Sequence, residues 1–153
     1  MEKHHQLTDP EFEKQFMHGL LHPDYFSHQA HLRLAWIHID RYGIDVAIEN
    51  ITFQIKNYTQ ILGAENKYNE TVTIASIRAV YHFWLKSESD TFKEFIEEFP
   101  RLQYNFKELL GFHYAFDIFI SEEAKAHYLE PDLLPFDWNN EPREIHRVHW
   151  HAY

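Results

Sequence analysis

The chain contains no cysteine, which excludes disulfide scaffolds, cysteine-ligated zinc, iron–sulfur clusters and thiol catalysis. It has only 4 glycines among 153 residues, too few for the loops that cradle nucleotide phosphates on backbone N–H groups. No Gly-x-Ser-x-Gly elbow, phosphate loop, dinucleotide glycine fingerprint or His-Glu-x-x-His occurs. Positive charge is also scarce. Lys and Arg number 14 against 24 Asp and Glu, a formal net charge of −10, which argues against nucleic acid and anionic membrane as partners. No apolar run approaches the ~18 residues of a membrane span. The start, Met1-Glu2-Lys3-His4-His5, leads into no signal-type apolar core. A cytoplasmic protein with a small-molecule ligand is the resulting expectation; the oligomeric state is left open.

What is present is apolar and aromatic material, 44% and 17% of the chain, together with 13 histidines. That composition sustains one ordinary core, and the length suits one domain. The expected organisation is a single helical domain over residues 1–136 and a polar tail over 137–153 carrying His146, His149 and His151.

The hydrophobic spacing is helical throughout. Thr8 and Glu11 form a capping pair for a first helix within residues 7–19, which Gly19 ends. Ser27 caps a second helix from His28 to Tyr42, stopped by Gly43 and apolar around most of its circumference. The third runs from about Asp45 to Leu62, and the fourth from about Glu70 to Lys86, although the β-branched residues at the start of the fourth also read as a strand. Asp90 is read as the cap of a fifth helix that extends through Phe99. Helix is expected again over 102–110 and from Ser121 to about Leu129. With no convincing strand, the pattern predicts an all-α bundle of six or seven helices.

The second helix carries the main chemical signal. At about 100° per residue, His31, Ala35, His38 and Tyr42 fall on one stripe roughly 80° wide, with His28 at its edge. A rise of ~1.5 Å per residue puts His28 and His31 about 4.5 Å apart along the axis and His38 ~10 Å further on. His28 and His31 can therefore share a ligand or a metal, and His38 cannot join them. A neutral imidazole at a helix start acts as a base or a metal ligand. A divalent metal such as Zn or Fe needs a further ligand, for which His113 and His82 are the candidates in the chain. Two histidines at a helix start are more often hydrogen-bonded structural or surface residues.

The segment from Lys67 to Thr73 is the second signal. Lys67, Tyr68, Asn69, Thr71 and Thr73 combine an amine, a phenol, an amide and two hydroxyls at the start of the fourth helix, where N–H groups are free. Asn69 or Thr71 is also an ordinary cap.

The stretches from Phe26 to Trp36, Lys67 to Thr73 and Pro131 to Phe136 resemble a widespread, largely uncharacterised bacterial family of small helical proteins. The likeness runs over about residues 20–136, and its most specific part is His-x-x-His-Leu-Arg-x-Ala-Trp. In that pattern the loop reads Lys-Tyr-His followed by two threonines, whereas this chain has Asn69 in the histidine's place. The resemblance implies a shared pocket and supplies no reaction.

The leading expectation is a helical protein with a small-molecule pocket, an enzyme of the hydrolytic or proton-transfer kind. His28, His31, Lys67 and Tyr68 would act on the substrate, with Lys67 pairing an anionic group. Trp36, Asn69, Thr71, Thr73 and Tyr114 would bind it, and Trp84 would add to the apolar lining. A non-catalytic metal or ligand sensor and a protein-interaction module are the alternatives.

Overall fold

The computed structural model describes residues 2–137, so His146, His149 and His151 lie outside the described residues. Within that span the protein is all-α, with no strand among the described residues. In chain order the helices are α1 (Asp9–Met17), α2 (His28–Tyr42), α3 (Ile44–Ile61), α4 (Glu70–Lys86), α5 (Phe92–Glu98), α6 (Arg101–Tyr104), α7 (Phe106–Leu110) and α8 (Glu122–Ala126). No described helix is long and apolar enough to cross a membrane.

Local chemistry sets these boundaries. The Thr8 hydroxyl accepts from the Glu11 N–H while the Glu11 carboxylate accepts from the Thr8 N–H, a reciprocal box that starts α1. Ser27 caps α2 through the Ala30 N–H, and Gly43 at φ +87° lets the chain leave α2 and enter α3 directly. Gly19 is favoured by its backbone conformation. Its φ is +70°, which strains any larger residue, and a Cβ there would lie 2.3 Å from Ile61 Cδ1, so the exposed Ile61 side chain would have to turn aside.

Three expectations shift. The fifth helix is capped by Thr91 rather than Asp90, since Thr91 Oγ1 accepts from the Glu94 N–H. The 102–110 segment divides into α6 and α7 at Asn105. The last helix ends at Ala126 instead of reaching Leu129, because His127 is already extended.

Hydrogen bonds between helices fix the register that matters for function. Asn50 Nδ2 donates to His38 Nδ1 at 3.4 Å, which sets α3 antiparallel to α2. Trp84 Nε1 donates to Asp40 Oδ1 at 3.0 Å, which brings the end of α4 beside the end of α2, so the two run in the same direction. Tyr58 donates to the Leu21 carbonyl at 2.8 Å and ties α3 to the chain entering α2. The start of α2, the end of α3 and the start of α4 therefore meet at one end of the bundle.

The main core lies along the middle of these three helices and includes Trp36, Trp84, Tyr81, Phe12, Phe16 and Phe95. A second, smaller cluster joins the outer face of α4 to the C-terminal segments through Ala75, Ala79, Leu110, Tyr114, Ile118, Ala124 and Phe136.

Candidate functional site

A cavity of about 550 Å³ opens between α2, α3 and α4 at that end, within the size range of ligand sites. Each helix gives it one stripe. From α2 come His28, His31, Leu32 and Ala35; from α3, Ile51, Ile55, Tyr58, Thr59 and the adjoining Leu62. From α4 come Val72, Thr73, Ser76, Ile77 and Val80, and the preceding turn adds Lys67, Tyr68 and Asn69. Phe26, Phe106 and Phe119 close the sides. The spacings are those of single helical faces. The lining is graded: polar side chains cluster where the helix ends meet, and Leu32, Ala35, Ile51, Ile55, Ile77 and Val80 form the deeper apolar floor.

The two imidazoles are held in the same way. His28 Nε2–H donates to the Leu102 carbonyl at 3.0 Å, and the ring meets Phe106 edge-on at 4.9 Å. His31 Nδ1–H donates to the Ser27 carbonyl at 2.8 Å, and Phe26 stacks on the ring at 3.7 Å. A carbonyl can only accept, so these bonds fix each neutral tautomer and leave His28 Nδ1 and His31 Nε2 as acceptors. His31 is exposed by surface area and lines the cavity, yet protein atoms crowd around its ring. This enclosure lowers its pKa from 6.5 to about 4; His28 adds to the effect and the Ser27 carbonyl opposes it.

The neighbouring loop is equally constrained. Asn69 caps α4 through the Val72 N–H at 2.9 Å and donates from Nδ2 to the Ile118 carbonyl at 2.9 Å, which pins the segment bearing Phe119 over the cavity. Thr73 donates to the Asn69 carbonyl at 2.7 Å. Tyr68 donates to Glu70, and burial first, then the Glu70 carboxylate, raise its pKa. Lys67 is exposed at the rim.

Of the expected site residues, His28, His31, Lys67, Tyr68, Asn69 and Thr73 all line the cavity. Four others do not. Trp36 is 1% exposed and packs against Phe92 and Phe95 in the core. Trp84 is likewise core, bonded to Asp40. Thr71 turns to the other side of α4, donating to the His127 carbonyl and accepting from the Leu129 N–H. Tyr114 donates to the Leu129 carbonyl within the second cluster.

His113 is also elsewhere. It stacks on Phe136 at 4.0 Å and bonds the Leu134 carbonyl, and burial lowers its pKa. His82 pairs with Asp137. Among the described residues no group of three His, Cys, Asp or Glu side chains is placed to hold a metal. Among the described residues the two imidazoles have no carboxylate beside them, and a Zn or Fe centre needs at least three protein ligands, so this donor set does not fit the expected metal.

Arg33, from the same segment of sequence, has a structural task. It donates to Asp9 at 2.8 and 3.0 Å, to the His4 carbonyl at 2.6 Å and to the Leu7 carbonyl at 2.8 Å, clamping the N-terminal turn against α2. Thr59, Ser76, Phe106 and Phe119 were not singled out in the sequence. The first two had a readable signal: each is a small polar residue on an otherwise apolar stripe.

Comparison with protein-family models, curated proteins and solved structures returns no match.

Proposed function

We propose that this chain is a small-molecule-binding helical protein that uses the histidine-lined cavity for hydrolytic or proton-transfer chemistry. The observation that carries the reading is the paired fixation of His28 and His31. Each ring spends its N–H on a backbone carbonyl and keeps one lone-pair nitrogen beside about 550 Å³ of space. A base held by its other nitrogen is oriented without loss of its acceptor, the arrangement general-base catalysis requires. The resemblance to the His-x-x-His family fits this reading, because both histidines of that segment meet in the cavity. Asn69, where that pattern has histidine, serves as a cap and a tie to the Phe119 loop.

The test uses N-phenyl-1-naphthylamine fluorescence for binding and p-nitrophenyl butyrate hydrolysis for chemistry. Binding is expected in the parent chain and lost in Ser76→Leu, which fills the cavity. Hydrolysis is expected to fall ~100-fold in His28→Gln or His31→Gln with the dye still bound. Dye binding that ignores Ser76→Leu overturns the site, and hydrolysis unchanged in both histidine variants overturns the chemistry.

The His31 pKa near 4 favours a second reading, a non-catalytic binder. Such a ring is a weak proton acceptor at neutral pH and a good hydrogen-bond acceptor.

A further inference from the structure

The donors of the cavity wall are almost all spent. His28 gives its N–H to Leu102 and His31 to Ser27. Asn69 gives one amide N–H to Ile118, Thr73 its hydroxyl to Asn69, Thr59 to Lys56 and Tyr58 to Leu21, all backbone carbonyls. Tyr68 gives its hydroxyl to Glu70. Most of what the lining side chains still offer is acceptors: two imidazole nitrogens and the lone pairs of hydroxyls whose protons are committed. No carboxylate is among the described lining residues. Lys67, Ser76 and the second amide N–H of Asn69 are the lining side-chain donors left uncommitted, and Lys67 stands exposed at the rim.

We infer that the ligand of this cavity is a neutral apolar molecule carrying a hydroxyl, an alcohol or phenol, whose O–H is donated to the His28–His31 pair while its hydrocarbon body lies on the floor formed by α2, α3 and α4. The inference rests on the ligand-binding reading above and sharpens it. A ligand with acceptors alone would cover both imidazole nitrogens without pairing them, and an anion would meet their lone pairs. A cationic ligand would find no carboxylate partner and would face Lys67. The aromatic rings of Phe26, Tyr58, Phe106 and Phe119 suit a flat body. The same placement suits proton transfer, since the atom that donates the hydrogen bond is the one a base would deprotonate.

The test is isothermal titration calorimetry at pH 7 with three probes of one shape: 1-naphthol, 1-methoxynaphthalene and 1-naphthoate. The expected order puts 1-naphthol at least about 10-fold tighter than either of the others. In His31→Leu the preference for 1-naphthol over 1-methoxynaphthalene should shrink to within about threefold, through weaker naphthol binding alone. Equal affinity for the hydroxyl and methoxy probes overturns the inference, as does tightest binding of 1-naphthoate, which would assign the cavity to anions through Lys67. If all three bind alike and none binds Ser76→Leu, the hydroxyl class falls and the cavity stands as a binding site. If none binds the parent chain, both fall.

Discussion

His31 and His38 lie about two turns apart on one helix, and burial holds each imidazole near a pKa of about 4, yet their surroundings are opposite. His38 is 0% exposed. Asn50 donates to its Nδ1, Tyr42 packs at 5.4 Å, and its Nε2 has no partner among the described residues. His31 has its N–H satisfied at Ser27 and its free nitrogen on a ring beside open space. Lowered proton affinity alone therefore does not mark a site. The difference is vacant volume: a packed histidine specifies the α2–α3 contact, and a histidine beside a cavity can meet something that is not protein.

The sharpest way to break this comparison is to remove each ring. His38→Ala should cost ~3 kcal/mol, from lost packing and the stranded Asn50 amide. His31→Ala should cost less than about 1 kcal/mol, because its ring already borders space. Urea denaturation of both variants checks this, and equal losses would erase the distinction.

The next largest effect is on pH dependence. The unfolded chain protonates His4 and His38 as pH falls past 6.5, whereas the folded chain resists until about 4. Stability is thus full above the unfolded value and lost as pH falls through that window. His38 alone accounts for about 2 kcal/mol between pH 8 and pH 5. Denaturation midpoints across that range should decline, and His38→Gln should flatten the decline. A profile that is level or rises toward pH 5 would contradict the burial argument.

Asn69→Ala should remove ~1 kcal/mol by uncapping α4 and should also loosen the Phe119 segment over the cavity. Asn69→Asp keeps the cap and loses the bond to Ile118, so hydrogen exchange near Phe119 should rise in both variants while α4 frays only in the first. Smallest of all, Ser76→Leu should raise stability by roughly 0.5–1 kcal/mol by filling space. Thermal melting that falls instead would mean the cavity wall is already tightly packed there.

Much of the fold was legible because capping and periodicity are local. The bounds of α2 and α4 follow from Ser27, Gly43 and Asn69, and the α1 box from Thr8 and Glu11. The 102–110 helix was harder to read, because the break at Asn105 depends on packing of short pieces against the core. Within the site, spacing grouped His28 with His31, whereas the nearness of Lys67, Asn69 and Thr73 was implied only by the resemblance and by no local pattern. The misplacements are angular. Trp36 is one residue beyond Ala35, so about 100° around α2, and Thr71 is two residues from Thr73, about 200° around α4. Both turn into packed protein. Phe106 and Phe119 reach the cavity only through tertiary contacts such as Asn69 with Ile118, which no local pattern announces. His113 looked like a partner for the pair by residue type alone, and the second cluster holds it apart.

The most direct measurement is a long-range nitrogen–proton NMR spectrum of the protein with labelled histidine, at pH 7, with and without 1-naphthol. The account predicts a neutral His31 ring, and ring-nitrogen signals of His28 and His31 that shift on addition of the probe while His4 and His38 stay fixed. Unmoved His28 and His31 signals, or shifts spread equally over all four rings, would contradict it.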